Sequence, residues 1–164
     1  MRRNLVSSPA KNVIDSNVAI VANGHSSHVS EECQIKCIEL LEKCKDIKIC
    51  LDNNDLIMTE YAKHLSYAGN PGVGDMFFKY LHDYQYAQHN IELVTITPIE
   101  DQSRSFEELP VNEFDPSDRK FLATAVAGDA VIVNATDSDW HEQQELMARL
   151  NVTVRQLCPD CSQR

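Results

Sequence analysis

The chain has 164 residues, 43% of them hydrophobic, which suits one domain with its own core and excludes a disordered, low-hydrophobicity chain. Fifteen basic against 25 acidic residues give a net charge of −10, which excludes non-specific nucleic-acid binding through a broad basic face. The longest apolar run, Val18 to Ala22, is far short of the ~20 residues of a membrane helix, and no apolar stretch follows Met1-Arg2-Arg3, so the sequence reads as a cytoplasmic protein without a secretory leader.

Asn12-Val13-Ile14 reads as a short buried strand ending at Asp15. A long helix is expected from about Ser30 to Asp46, with Ser30 as N-cap and Glu31 and Glu32 in its first turn. Lys48 to Leu51 is a second strand; Asp55 then caps a helix to about Ser66. Gly69 to Asp75 is a glycine-rich, mobile connection that matches no phosphate-binding motif. Met76 to about Gln88 is helical and Ile91 to Thr97 a β-branched strand. The acidic stretch 98–114 is expected to be a flexible flap or to carry a short turn of helix. Asp115-Pro116 opens the next helix, which Gly128 stops. Ala130 to Val133, Trp140 to Leu150 and Val152 to Val154 complete a strand, a helix and a last strand. Strands alternating with helices predict an α/β fold, a three-layer α/β/α sandwich around a mostly parallel sheet of 4–5 strands.

Five of the six cysteines fall in two groups. Cys33, Cys37 and Cys44 lie at helical spacing beside an apolar stripe, and Cys158-Pro159-Asp160-Cys161 is a CxxC near the C-terminus. All six are expected to be reduced and non-catalytic. A structural zinc would need two ligands beside the CxxC, for which Cys33 and Cys37 are candidates, although a Cys-x3-Cys within one helix is an unusual donor pair.

Acids mark the site. In open parallel sheets ligands bind beyond the carboxyl ends of the strands, where Asp15 ends the first strand and Asp137 lies just past the fourth. Asp118 precedes Phe121, Leu122 and Ala125 at i+3, i+4 and i+7, which continues a buried stripe; Glu60 sits at the margin of another, between Ile57 and Tyr61. Buried carboxylates need a partner or a metal, and a close set of them suits a hard divalent cation, Mg2+ or Mn2+. The plainer readings are a capping role for Asp118, a solvated helix residue for Glu60 and turn acids for Asp137 and Asp139.

At Val13-Ile14-Asp15-Ser16-Asn17, Glu60, Asp115-Pro116-Ser117-Asp118-Arg119-Lys120-Phe121-Leu122-Ala123 and Asn134-Ala135-Thr136-Asp137-Ser138-Asp139-Trp140, the chain resembles the PIN-domain family of metal-dependent ribonucleases. The resemblance runs from about Asn12 to Val154. It implies one nuclease domain over 12–157, an N-terminal extension over 1–11 and a C-terminal tail over 158–164. It also implies that Asp15, Glu60, Asp118 and Asp137 bind Mg2+ or Mn2+, with Asp139 either a fifth ligand or an acid behind the ligands, and Ser16, Asn17 and Thr136 as supporting residues. The implied reaction is hydrolysis of RNA, with water attack leaving a 5′-phosphate and a 3′-hydroxyl. Many family members are toxins of bacterial toxin–antitoxin pairs, so an antitoxin or regulatory protein and a homodimer are the implied partners. The greater length, the acidic 98–114 stretch and the charge of −10 depart from the compact toxins.

Arg119, Lys120 and Lys63 are the candidate substrate-binding cations. A haloacid-dehalogenase-type phosphatase would want a second Asp two residues after Asp15, where Asn17 stands. The alternative in another class is a non-catalytic PIN-like adaptor that binds RNA or a protein partner.

Overall fold

The computed structural model describes residues 10–87 and 89–163; the expected N-terminal extension therefore lies almost wholly outside the described residues, as does Gln88. Five strands, β1 (Lys11–Ile14), β2 (Lys48–Asp52), β3 (Ile91–Val94), β4 (Val131–Asn134) and β5 (Val154–Gln156), form one sheet in the order β3-β2-β1-β4-β5. Every pairing is parallel, with Ile14 opposite Val133 at the centre. Val13, Ile14, Ile49, Leu51, Ile132 and Val133 are wholly buried, as expected of strands covered on both faces.

Right-handed crossovers fix the layers. Moving from β1 outward to β2 and β3, the chain passes through α1 (Ser16–Ala22), α2 (Glu31–Glu42), α3 (Leu56–Ala62) and α4 (Val73–Tyr84); α1, α2 and α4 pack on one another. The return to β4 runs through α5 (Arg119–Gly128), which packs against β1, β2, β3 and β4. The helices α6 (Asp139–Glu142) and α7 (Gln144–Arg149) lead to β5, and α8 (Pro159–Ser162) packs on α6. The result is the expected three-layer α/β/α sandwich. Connections leave β1 and β4 toward opposite faces, so the gap beyond these two adjacent strands is the topological switch point of the sheet.

Several expectations are corrected. The apolar run after Asp15 is a helix, α1, which Asp15 caps by accepting from the Asn17 backbone N at 3.2 Å. Helix α3 is capped by Asp52 rather than Asp55: the Asp52 carboxylate accepts from the backbone N of Asn54, Leu56 and Ile57 at 2.8–3.0 Å, while Asp55 takes a left-handed φ of 59° with no side-chain cap. The glycine-rich connection is tied down. Asp75 accepts from the backbone N of Ser66 and Gly72 and from Asn23 Nδ2, and a Cβ on Gly74 would sit 2.2 Å from the Ala19 carbonyl oxygen, so only glycine lets α4 approach α1 there.

The 98–114 stretch is a packed loop, neither a flap nor a helix. Phe106, Leu109 and Phe114 are buried, and Pro98 and Phe106 form an antiparallel bridge. Finally, the cysteines are not all reduced. Strand β5 delivers the C-terminal segment to the first turn of α2, and Cys33 and Cys158 form a disulfide there; Cys37, Cys44, Cys50 and Cys161 are free thiols.

Candidate metal centre

The switch point gathers acids from three elements. Asp15 follows β1, Asp137 follows β4, and Asp118 precedes α5, whose N-terminus lies at the same sheet edge because the helix runs antiparallel to the strands. One carboxylate oxygen from each of Asp15, Asp118 and Asp137 lies within 4.8 Å of the others. Asp118 also belongs to a second group of the same closeness with Asp115 and Asp139. Asp15 is buried, Asp118, Asp137 and Asp139 are half-buried and Asp115 is exposed, so the cluster opens to solvent on one side.

Each acid is held by its own local framework. Asp15 accepts from Trp140 Nε1 at 2.7 Å, from the Asn17 backbone N and from Ser16 Oγ at 3.4 Å. Asn17 reaches across to β4: its Nδ2 donates to Asn134 Oδ1 at 2.8 Å, and its Oδ1 accepts from the backbone N of Ala135 and Thr136. Buried Asn134 in turn donates to the Asp137 carbonyl and to Gln156 Oε1, and accepts from the Asp137 backbone N. Asp137 Oδ1 caps α6 by accepting from the Asp139 backbone N at 2.9 Å. On the other side Asp115 Oδ1 accepts from the backbone and hydroxyl of Ser117, shaping the 3-10 turn Pro116–Asp118 that presents Asp118.

Crowding shows in the titration behaviour. Burial, only partly offset by the Trp140 and Asn17 hydrogen bonds, raises Asp15 to about 6. Burial and then the charges of Asp15 and Asp137 push Asp118 up to about 8. Asp139 is raised too, by burial first and then by Asp137. Protons bound to carboxylates at near-neutral pH mark a site that lacks compensating positive charge. A divalent cation is the group that would supply it, and the donor set, all hard carboxylate oxygens, fits Mg2+ or Mn2+.

Glu60 is not in either group. Its Oε2 accepts from Lys63 Nζ at 3.0 Å and from Lys120 Nζ at 3.3 Å, and its Oε1 lies 3.9 Å from His64 Nε2. Burial alone would raise Glu60, but the two lysines outweigh it and hold its pKa below the usual value. Lys63 is largely exposed, whereas Lys120 is about as enclosed as Glu60.

Arg119, expected as an open cation, is instead buried: its guanidinium donates to the carbonyls of Phe114, Gln102 and Asn112 and to Ser105 Oγ, so it clamps the 98–114 loop. Two residues that matter to the site escaped the sequence reading. Trp140 was legible only as a core residue, although a buried indole N–H demands an acceptor. Asn134 stood at a strand end whose side chain had to be paired once buried.

No protein-family model matches this chain, and no curated protein sequence matches it. Among solved structures, a chain of FitAB bound to an IR36 DNA fragment overlays on 89% of this chain and 94% of its own, at 13% identity and a TM-score of 0.43. At that distance the likeness says nothing of chemistry. What the fold and side chains define is a three-layer α/β/α protein with an acidic cluster at its switch point.

Proposed function

We propose that the chain is a metal-dependent ribonuclease in which Asp15, Asp118 and Asp137 hold Mg2+ or Mn2+. The observation that carries this reading is the convergence of three carboxylates within 4.8 Å, two of them with strongly raised pKa values. A bound divalent ion supplies a water of lowered pKa and charge stabilisation at a phosphate. The chain supplies the rest. Trp140 and Asn17 hold the Asp15 carboxylate in one orientation, Asn134 and Asn17 fix the loop that carries Asp137, and Ser16 and Thr136 complete that framework. Asp139 lies beyond Asp118 as a further carboxylate for the ion or its waters.

In this reading Glu60 is an anchor for cations. It holds Lys120 and Lys63 in place, two positive charges on an otherwise acidic protein, as contacts for RNA phosphates. An antitoxin or other regulatory protein is the partner this reading allows, acting by placing a basic side chain over the acids.

One observation favours the adaptor reading: the pairing of Glu60 with two lysines leaves three aspartates rather than four carboxylates in the cluster. Cleavage of a pool of labelled single-stranded and structured RNA separates the two. Wild type is expected to cut with Mn2+ or Mg2+ and not with EDTA, and Asp15→Asn and Asp118→Asn are expected to be inactive. Cleavage that survives EDTA and both substitutions overturns the metal site; RNA or protein binding without cleavage moves the conclusion to the adaptor.

A further inference from the structure

The sulfur atoms of Cys33, Cys37 and Cys158 lie within 4.8 Å of one another, in a group that shares no residue with the acidic cluster. Cys161 lies one turn beyond Cys158, in α8. Three of the six cysteines thus converge from only two pieces of chain, a Cys-x3-Cys on α2 and the Cys-Pro-Asp-Cys of the C-terminal segment, whose second cysteine offers a fourth thiol. We propose that, in the reduced protein, these four thiols bind a structural Zn2+ that clasps the C-terminal segment to α2.

The spacing suits it. Residues i and i+4 of a helix stand on one face about 5–6 Å apart at Cβ, the arrangement by which two helical histidines share one zinc. A CxxC supplies the other half of a four-sulfur structural site. Soft thiolates select Zn2+ over the hard cations that suit the aspartates, so the two sites sort their metals by ligand type. Cys33, Cys37 and Cys158 are buried while Cys161 is half-buried in the wall of a cavity of about 420 Å3 lined by His25 and His28, which gives an ion an entry path.

A thiol relay at the same place is the weaker reading. The third sulfur, Cys37, would have to attack the Cys33–Cys158 disulfide as a thiolate, yet burial pushes its pKa up to about 12. A metal removes that obstacle because a coordinating thiol is deprotonated outright. The disulfide is then the metal-free oxidised form of the same clasp. A dithiol reductant gives the bond two electrons and two protons and leaves as its own disulfide; Zn2+ binding next displaces the four thiol protons.

The test uses the full chain carrying Asp118→Asn, which weakens the acidic cluster as a competing zinc site. Protein reduced with a dithiol is mixed with Zn2+, desalted and assayed for metal, in parallel with protein left oxidised. One retained equivalent is expected in the reduced chain and none in the oxidised one, with the metal released as an organomercurial titrates the thiols. Replacing Zn2+ with Co2+ should give thiolate charge-transfer absorption. Cys37→Ser and Cys161→Ser should each lose the metal, and Cys44→Ser should keep it. Cys161 is half-buried, so its substitution leaves the core intact and decides the matter even if Cys37→Ser fails to fold. A reduced chain that retains no Zn2+, or a Cys161→Ser chain that retains a full equivalent, overturns the proposal.

Discussion

The indole Nε1 of Trp140 donates to a carboxylate oxygen of Asp15 across 2.7 Å, joining the first helix after β4 to the end of β1. The same indole packs on Phe114 with ring centroids 4.6 Å apart, so the 98–114 loop, α6 and β1 meet at one buried acid. Trp140→Phe keeps most of the packing and removes the donor. A hydrogen bond to a charged group is worth about 1.5–3 kcal/mol, so the variant is expected to lose about 2 kcal/mol of stability at pH 7. Urea unfolding checks it, and the deficit should shrink at pH 5, where Asp15 is largely protonated.

The pH dependence of the metal-free protein follows from the raised acids. In the unfolded chain Asp15 and Asp118 titrate near 3.8; in the folded chain they titrate near 6 and 8. Between those values the folded state binds more protons, so stability falls as pH rises. The contribution is fully present below about 4 and is lost by about 8. Acids such as Asp75 and Glu92, held below their usual values by hydrogen bonds and Lys11, act with the opposite sign but at lower pH. Thermal unfolding in EDTA between pH 5 and 8 should show this decline, and Asp118→Asn should flatten it. A wild type whose stability rises with pH across that window would contradict the clustering of the three aspartates.

Most of the architecture was legible because it depends on local pattern. Apolar strands spaced by helices gave the parallel sheet, and a buried strand ending in Asp15 beside one leading to Asp137 gave the sheet edge at which the acids meet. Pairings between distant side chains were not legible. Arg119 reads as a surface cation beside Asp118, and only the fold shows four acceptors around its guanidinium. Glu60 sits at the margin of an apolar stripe in either role, ligand or anchor, and what decides is the arrival of Lys120 from α5, sixty positions away. The α1 helix was hidden because Val18 to Ala22 is apolar all round, which removes the periodic signal. The Cys33–Cys158 disulfide spans 125 positions, a pairing no spacing rule reaches.

Metal should restore what crowding costs. Mn2+ at about 100 times its dissociation constant adds about 2.7 kcal/mol, which in a domain of this size raises Tm by about 5–10 °C. EDTA should reverse the shift, and Asp118→Asn should abolish it. Glu60→Gln is the informative contrast: it is expected to keep the Mn2+ shift but to weaken RNA binding, because Lys63 and Lys120 lose their common anchor. A Glu60→Gln protein that no longer responds to Mn2+ would return Glu60 to the metal.

Arg119→Met tests whether the residue beside Asp118 serves the loop or the substrate. The substitution leaves the carbonyls of Gln102, Asn112 and Phe114 and the Ser105 hydroxyl without the donor they share. Each buried acceptor left unpaired costs about 1–3 kcal/mol, less where water can reach it, and two of the three carbonyls lie toward the surface. A loss of about 3 kcal/mol is therefore expected, together with new proteolytic cuts within 98–114. Lys120→Met, which removes a cation without touching that loop, should instead leave the cleavage pattern unchanged and reduce affinity for RNA. If Arg119→Met were as stable and protease-resistant as wild type and lost only RNA affinity, the guanidinium would belong to the substrate site after all. The two neighbouring cations differ because one helical step of about 100° turns Arg119 into the loop and Lys120 toward Glu60.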